Sequence, residues 1–189
     1  MGKVRSIEPV KLIVGMIGKR EEHFGEALEM LTPQYGPVDF SSDFIPFTFT
    51  SYYEREMGTG LLRRFFAFRR LVLPSVLPGV KLSAIGIEER FSLPGEGGGM
   101  KRQINIDPGY IGLSKLVLAS TKDRSHRIYI GEGIYAEVTL QFEKRTFRPW
   151  HWTYPDYRSP GYIGIFNAIR LTLCEQLTEA EGDAKERAQ

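Results

Sequence analysis

Cysteine is almost absent from this chain of 189 residues, in which Cys174 is the single example. One cysteine excludes a disulfide within the chain and any zinc or iron–sulfur site built from several cysteines. The sequence also lacks the Gly-x-Ser-x-Gly pattern of serine hydrolases and the His-Glu-x-x-His pattern of zinc proteases. We therefore predict no metal site, and the sequence leaves any cofactor unknown.

Long apolar runs and an excess of one charge are missing as well. No run approaches the roughly 18 residues that a membrane helix needs, and residues 1–9 lack the apolar core of a secretion signal. We therefore expect a cytoplasmic protein with no membrane partner. Lys and Arg number 25 against 23 Asp and Glu, a net charge of +2. Proteins that coat nucleic acid normally carry a larger basic excess, so nucleic acid stays open as a partner without being favoured.

The hydrophobic content is sufficient for one folded core. Hydrophobic residues make up 42% of the chain, and a chain of this length normally forms one domain. We expect a single domain over residues 1–189, with frayed ends at residues 1–8 and 181–189. The sequence leaves the oligomeric state undecided.

The first half of the chain predicts two strand–helix–strand units. The first has a strand at 10–17, a helix at 21–31 that ends before Pro33, and a strand at 38–49. The second begins at 61–73, which fits a helix by spacing but a strand by its aromatic and β-branched content; we interpret it as a strand. A helix at 80–91 and a strand at 102–107 complete that unit.

The second half predicts a β-meander and a terminal helix. Asp107-Pro108-Gly109-Tyr110 is typical of a type II turn that would end the strand at 102–107. A strand at 115–121, a hairpin at 126–142 and a helix from Pro160 follow. These elements predict an α+β fold of ferredoxin-like split βαβ units, extended by an antiparallel β-meander and a C-terminal helix. The single sheet is expected to curl towards a barrel.

The hairpin has the most specific pattern in the sequence. A three-residue loop at 131–133 would pair Ile130 with Ile134, Tyr129 with Tyr135, Ile128 with Ala136 and Arg127 with Glu137. The aliphatic residues then share a core face, at Ile128, Ile130, Ile134, Ala136, Val138 and Leu140. The opposite face carries Arg127, Tyr129, Tyr135 and Glu137, either exposed to solvent or lining a cleft. The Arg127–Glu137 pair is the geometric basis of the predicted site.

Other polar residues adjoin that face. Asn105 and Asp107 leave the same side of a strand and could orient a ligand, although Asp107 could instead bond the turn itself. Lys122 and His126 lie close to the hairpin, where a histidine can contact a phosphate or merely be exposed. Gly15-Met16-Ile17-Gly18-Lys19 is an incomplete phosphate loop, because two residues instead of four separate its glycines and Arg20 replaces the hydroxyl. A plain strand-to-helix turn is the favoured interpretation there.

The aromatic segment at 147–160, which contains Trp150, Trp152 and Asp156, allows three interpretations. It could stack on a ring of a ligand or present a surface to a protein partner, but a lid of aromatics packed over the sheet is favoured. Asp107, His126, Glu137 and Asp156 are also suitable acid–base groups, so an enzyme stays open.

Several stretches occur together and in order: Tyr52-Tyr53-Glu54, Met57-Gly58, Asn105 to Tyr110, Lys115 to Ala119 with Lys122, His126 to Tyr129, Gly133 to Leu140 and Trp152 to Tyr157. This ordered set resembles a bacterial family catalogued as domain of unknown function 4416. The resemblance covers nearly the whole chain and implies no activity. Some members are described as GTP-binding, which the incomplete phosphate loop supports little.

These observations predict a polar cleft for a small anionic ligand such as a nucleotide. Lys122, His126 and Arg127 would hold the anion, and Asn105, Asp107 and Glu137 would orient the ligand. The candidate ligand-binding residues are Asn105, Asp107, Lys122, His126, Arg127, Tyr129, Tyr135, Glu137 and Asp156. One alternative is an RNA-binding module that uses Tyr129 and Tyr135 for stacking. Another is a protein partner held by the aromatic loop.

Overall fold

The computed structural model describes residues 2–3, 6–95 and 98–187. In these residues the strands are β1 Val10–Gly18, β2 Val38–Ser41, β3 Ile45–Pro46, β4 Leu62–Val72, β5 Leu93–Pro94, β6 Met100–Lys101, β7 Ile104–Ile111, β8 Lys115–Ser120, β9 Ile128–Gly131, β10 Ile134–Glu143 and β11 Thr146–Pro149. The helices are α1 Glu21–Tyr35, α2 Glu54–Met57, α3 Leu77–Arg90 and α4 Pro160–Arg187, with 3₁₀ turns at Pro74–Val76 and Asp156–Arg158.

Four strands form a ferredoxin-like core, as predicted. They stand in the order β7-β1-β4-β2, and each neighbouring pair is antiparallel. Helix α1 connects β1 to β2 with β4 between them, and α3 connects β4 to β7 with β1 between them. Two split βαβ units therefore interleave. The interpretation of residues 61–73 as a strand is confirmed, because β4 pairs along most of its length with β1.

The predicted meander widens this core. Strands β8, β10 and β11 continue the sheet beyond β7, while β9 pairs with β10 at the hairpin. In the part of the chain that the structure describes, β2 and β11 stand at opposite ends of the strand order, so the sheet does not close into a barrel. The short strands β5 and β6 form a separate ribbon.

Both faces of the sheet are covered. One face packs Leu12, Val14, Phe66 and neighbouring apolar residues against α1 and α3. The opposite face packs Ile13, Phe65 and others against α4 and the 3₁₀ turn that carries Tyr157. Burial on two sides explains why β1 is nearly continuously apolar in sequence. Any cleft must therefore open where the strands or the covering elements separate.

The predicted turn at Asp107-Pro108-Gly109-Tyr110 is wrong. Strand β7 continues through these residues to Ile111, and Asp107 and Pro108 pair with Gly15 and Val14 of β1. The pairing of β7 with β8 includes only Gly109 to Ile111. Pro108 therefore lies where the missing N–H breaks no bond to β8, a position that a strand tolerates. Long-range pairing with β1 overrides the local turn preference.

Helix α1 also differs from its prediction, because it passes through Pro33 to Tyr35. Pro33 stands in the last turn, where only one helical bond is lost, and the N–H of Gly36 closes the helix on the carbonyl of Thr32.

The hairpin register is partly as predicted. Tyr129 pairs with Tyr135 and Ile128 with Ala136, but Gly131, and not Ile130, pairs with Ile134. The loop is therefore the two-residue turn Glu132-Gly133, with φ of 55° and 75°. The placement of Ile128 on a core face is wrong, since its side chain is 74% exposed. β9 is an edge strand that pairs only with β10, so the described elements leave Ile128 uncovered.

The two ends of the chain differ in secondary structure. Helix α4 continues to Arg187, and residues 2–3 and 6–8 have no regular secondary structure. The predicted fraying of the chain ends includes residues 1, 4, 5, 188 and 189, which lie outside the described residues. Among the helices described, none combines the length and apolarity needed to cross a membrane.

Candidate functional site

A cleft of about 610 Å³ opens in the sheet between β7 and β8. The two strands separate upstream of Gly109, because their pairing ends there. Gly109 permits the close approach at this junction, since a Cβ atom there would lie 2.3 Å from the carbonyl oxygen of Val117. Asn105 and Asp107 line one side of the opening, and Ser120 lines the other. The cleft is thus a consequence of where the strand pairing stops.

Helix α3 closes the floor of the cleft with two buried polar side chains. The N–H of Ile106 donates to Glu88 Oε1 at 2.6 Å, and Lys81 Nζ donates to the carbonyl of Ile106 at 2.9 Å. These bonds satisfy a β7 backbone that β8 leaves unpaired at this position. Burial raises the pKa of Glu88, although nearby Lys81 and the N–H of Ile106 act in the opposite direction.

Arg63 forms the charged centre of the cleft. It lies on β4, is 2% exposed, and donates to Asp107 Oδ2 at 3.2 Å and to Asp156 Oδ2 at 2.9 Å. Asp107 is on β7, so the arginine side chain must cross β1, which separates the two strands. Gly15 of β1 makes this possible, because a Cβ atom there would lie 2.9 Å from Arg63 Nη1.

The two carboxylates on Arg63 have different surroundings. Asp156 has a side chain only 8% exposed, whereas that of Asp107 is 26% exposed. Burial raises the pKa of Asp156 even though Arg63 favours its ionised form. Burial and the guanidinium therefore act in opposite directions on the ionisation of the Asp156 carboxyl group.

Aromatic rings surround this centre. The Arg63 guanidinium carbon lies 5.4 Å from the ring centre of Phe47 and 5.6 Å from that of Tyr157. Burial raises the pKa of Tyr53 and Tyr157, and raises that of Tyr162 to about 12. The three phenols are consequently neutral near pH 7 and can donate hydrogen bonds.

Three buried polar atoms among the cleft-lining residues have no hydrogen-bond partner in the described part of the chain. They are Arg63 Nε, Asn105 Nδ2 and the hydroxyl of Tyr157. Arg63 and Asn105 both pair with Ile17 in the sheet, one from each neighbouring strand, so they flank the same position of β1. Buried polar groups are normally bonded. A ligand with acceptor oxygens would complete this set.

The predicted Arg127–Glu137 pair is present and buried. Arg127 Nε donates to Glu137 Oε2 at 2.7 Å, and the two side chains are 3% and 1% exposed. Arg127 also donates to Ser120 Oγ, the carbonyl of Lys122 and the hydroxyl of Tyr154. Since these bonds occupy most of its donors, Arg127 fixes one wall of the cleft and has little left for an anion.

His126 contacts Glu137 but does not line the cleft. Its Nε2 lies 3.4 Å from Glu137 Oε2, and its ring stacks on Trp152 at 5.6 Å. Trp152 stacks in turn on Trp150 and donates from its indole nitrogen to the carbonyl of Val138. The aromatic loop is therefore joined to β10 and packs over the sheet.

Residues between Phe47 and Tyr53, which precede α2, and Arg102 line the opposite wall. Glu56 accepts hydrogen bonds from Nε and Nη2 of Arg102, at 2.9 and 2.8 Å. These bonds lower the pKa of Glu56, although its partial burial acts in the opposite direction. At the mouth, Lys122 Nζ lies 3.3 Å from the hydroxyl of Tyr52 and 5.2 Å from its ring centre. Tyr52 is 61% exposed.

The structure unites six of the nine predicted site residues. The cleft is lined by Asn105, Asp107, Lys122, Arg127, Glu137 and Asp156. His126 lies behind Glu137, while Tyr129 and Tyr135 contact each other edge to face at 5.5 Å, away from the lining. The sheet pairing, rather than a turn, brings Asp107 to the site. In the described residues, no cluster of three or more His, Cys, Asp or Glu side chains could hold a metal ion.

The incomplete phosphate loop is part of a strand. Gly15 and Gly18 both lie in β1 and pair with β4 and β7, so the segment has no loop that could surround a phosphate. The glycine at 15 instead provides space for Arg63.

Sequence reasoning missed several lining residues, above all Arg63, Lys81, Glu88 and Arg102. The burial of Arg63 could have been predicted. It lies two residues from the apolar Leu61 and Phe65 along a strand, and such residues share one face. Lys81 and Glu88 are seven apart beside the apolar stripe of α3, yet nothing in the sequence indicates their burial.

Comparison with known proteins gives a family without an assigned activity. No curated protein and no solved structure matches the chain. One family model, described as Domain of unknown function (DUF4416), matches residues 8–172. That match covers most of the chain, and the chain therefore belongs to this family.

Proposed function

We propose that this protein binds a small anionic ligand that carries a ring, such as a nucleotide, in the cleft between β7 and β8. The observation that carries the proposal is a set of buried atoms, on Arg63, Asn105 and Tyr157, that have no hydrogen-bond partner among the residues the structure describes. A buried donor without a partner costs about 1–3 kcal/mol. Three such groups at one cleft are accounted for when a ligand supplies their partners.

The composition of the lining supports a ligand of this class. Aromatic side chains provide flat apolar contacts at Phe47, Phe49, Tyr52, Tyr53, Tyr154 and Tyr157. The charged lining residues are five cations and four carboxylates, which slightly favours an anion. A mostly apolar lining with a few directed polar groups is the usual pattern of a small-molecule site.

The direct test is the thermal stability of the protein with a panel of nucleotides, sugar phosphates and organic carboxylates. A ligand at a hundredfold excess over its Kd should stabilise the protein by about 2.7 kcal/mol. Each kcal/mol should raise the Tm of a chain of this size by about 2–4 °C. Thr121→Trp should abolish the shift by filling the cleft that Thr121 lines. Ser125→Trp, at an exposed position outside the lining, is the matched control.

Two outcomes would count against a ligand site in this cleft. One is the absence of any shift across the panel in the unsubstituted protein. The other is a shift of the same size in Thr121→Trp, because the ligand would then bind elsewhere on the molecule.

RNA binding is a second candidate, favoured by one observation. Tyr129 is 59% exposed and its ring contacts that of Tyr135, so the hairpin offers an aromatic surface to a base. Stacking of this kind contributes about 1–3 kcal/mol per base. Retention of RNA that is lost in the Tyr129→Ala, Tyr135→Ala double variant would favour this function; equal retention would reject it.

A further inference from the structure

We infer that the ligand is a phosphorylated sugar, free or within a nucleotide, bound with its hydroxyl groups at Arg63 and its phosphate at Lys122. This inference rests on the proposed function and adds the class and the orientation of the ligand. It follows from how charges and hydrogen-bonding groups change from the mouth of the cleft to its depth.

At the mouth, Lys122 is the cation available to an anion. It is exposed, and its ammonium contacts the hydroxyl and ring of Tyr52. In the described residues it forms no ion pair, unlike Arg63, Arg102 and Arg127. A lysine of this kind can hold a phosphate as a compact charge.

The deep end of the cleft offers a different chemistry. Asp107 and Asp156 each contact Arg63 through Oδ2, so each carboxylate retains accepting capacity beside the unpartnered donor Asn105 Nδ2. A sugar hydroxyl both donates and accepts, and it therefore suits a mixture of carboxylate acceptors and amide donors. A phosphate placed there would face two carboxylates around one guanidinium, and like charges at short range repel strongly away from water.

The other cations at depth already have partners. Arg102 is held by Glu56, and Lys81 donates to the carbonyl of Ile106. Phe47, Tyr53 and Tyr157 line the same region and provide flat surfaces for the carbon–hydrogen face of a sugar or for a base. The arrangement therefore places the phosphate outward and the hydroxyl-bearing ring inward.

The test measures affinities by calorimetry for two matched series of probes. One comprises ribose 5-phosphate, ribose and 2-deoxyribose 5-phosphate; the other comprises adenosine 5′-monophosphate, adenosine and 2′-deoxyadenosine 5′-monophosphate. The series that binds more tightly distinguishes a free sugar phosphate from a nucleotide. Inorganic phosphate alone should bind more weakly than either complete probe.

Removal of the phosphate should weaken binding about tenfold or more in the unsubstituted protein, a change of 1.4 kcal/mol. In Lys122→Met this difference should disappear, while it should persist in the exposed control Lys115→Met. Removal of the hydroxyl should weaken binding about tenfold in the unsubstituted protein and in Lys122→Met, but not in Asp107→Asn. Asn105→Ser, which leaves both carboxylates on Arg63, repeats the hydroxyl test if Asp107→Asn does not fold.

Three results would overturn the inference. Binding of no probe from either series rejects the ligand class, while a Tm shift with organic carboxylates would leave the proposed function standing. A phosphate effect that persists in Lys122→Met rejects the orientation. A hydroxyl effect that persists in both Asp107→Asn and Asn105→Ser also rejects the orientation.

Discussion

The chemistry of the site depends on a few residues whose neighbours are far away in sequence. Arg63 reaches Asp107 and Asp156, which are 44 and 93 residues later in the chain. It does so over Gly15, where any side chain would occupy the same space. The alternation of β4 predicts the face on which Arg63 lies, but its partners depend on the order of strands. They could not be derived from local pattern.

Gly15→Ala should destabilise the protein by about 1–3 kcal/mol, the usual cost of overpacking a closely packed site. The added Cβ would lie 2.9 Å from both Arg63 Nη1 and Phe65 Cε1, so the arginine must move. Gly25→Ala on α1 is the control: no atom of the described residues, beyond its chain neighbours and the backbone of α1, lies within 4 Å of the added atom, and a gain of about 0.5–1 kcal/mol is expected. Urea unfolding measures both, and equal effects would contradict the crossing over Gly15.

Asp156 should make stability depend on pH. Because burial raises its pKa in the folded protein above the unfolded value of about 3.9, the folded state binds more protons between the two values. The free energy of unfolding should therefore fall as pH rises through this window and level off above the folded pKa. The free energy of unfolding of the unsubstituted protein minus that of Asp156→Asn should fall as pH rises. Urea unfolding from pH 3.5 to 7 measures both values. A difference that rises would contradict the burial argument.

At the scale of elements, the cleft results from an incomplete strand pair. The order of two strand–helix–strand units and a hairpin was sufficient to predict the ferredoxin-like core and its extension. The Asp-Pro-Gly sequence misled, because turn preference is local whereas β7 is held by eight residues of β1. The opening between β7 and β8 was therefore beyond prediction, together with the polar side chains of α3 that close it.

Lys81→Met should destabilise the protein by about 1–3 kcal/mol, the cost of leaving a buried polar group unpaired. The substitution removes the donor to the carbonyl of Ile106 and the positive charge beside Glu88. Lys115→Met, at an exposed position of β8, should change stability by no more than about 0.5 kcal/mol. If thermal unfolding gave both variants the same Tm, α3 would not be needed to complete β7.

For the whole molecule, the covered sheet limits where a ligand can bind. Helices α1 and α3 protect one face, and α4 with the aromatic loop protects the other. The Arg127–Glu137 pair was predictable because the hairpin is local, and it is present. Burial and four bonding partners make Arg127 part of a wall of the cleft, and its contact with an anion stays a prediction.

We propose that the cleft between β7 and β8 holds a small molecule. Native mass spectrometry of freshly purified protein can detect that molecule, because no ligand has to be chosen beforehand. We expect a bound mass above that of the 21.5 kDa chain in the unsubstituted protein and in Ser125→Trp, and no bound mass in Thr121→Trp. Equal retention of the mass in Thr121→Trp, or its absence from every preparation together with no stabilisation by any added ligand, would contradict it.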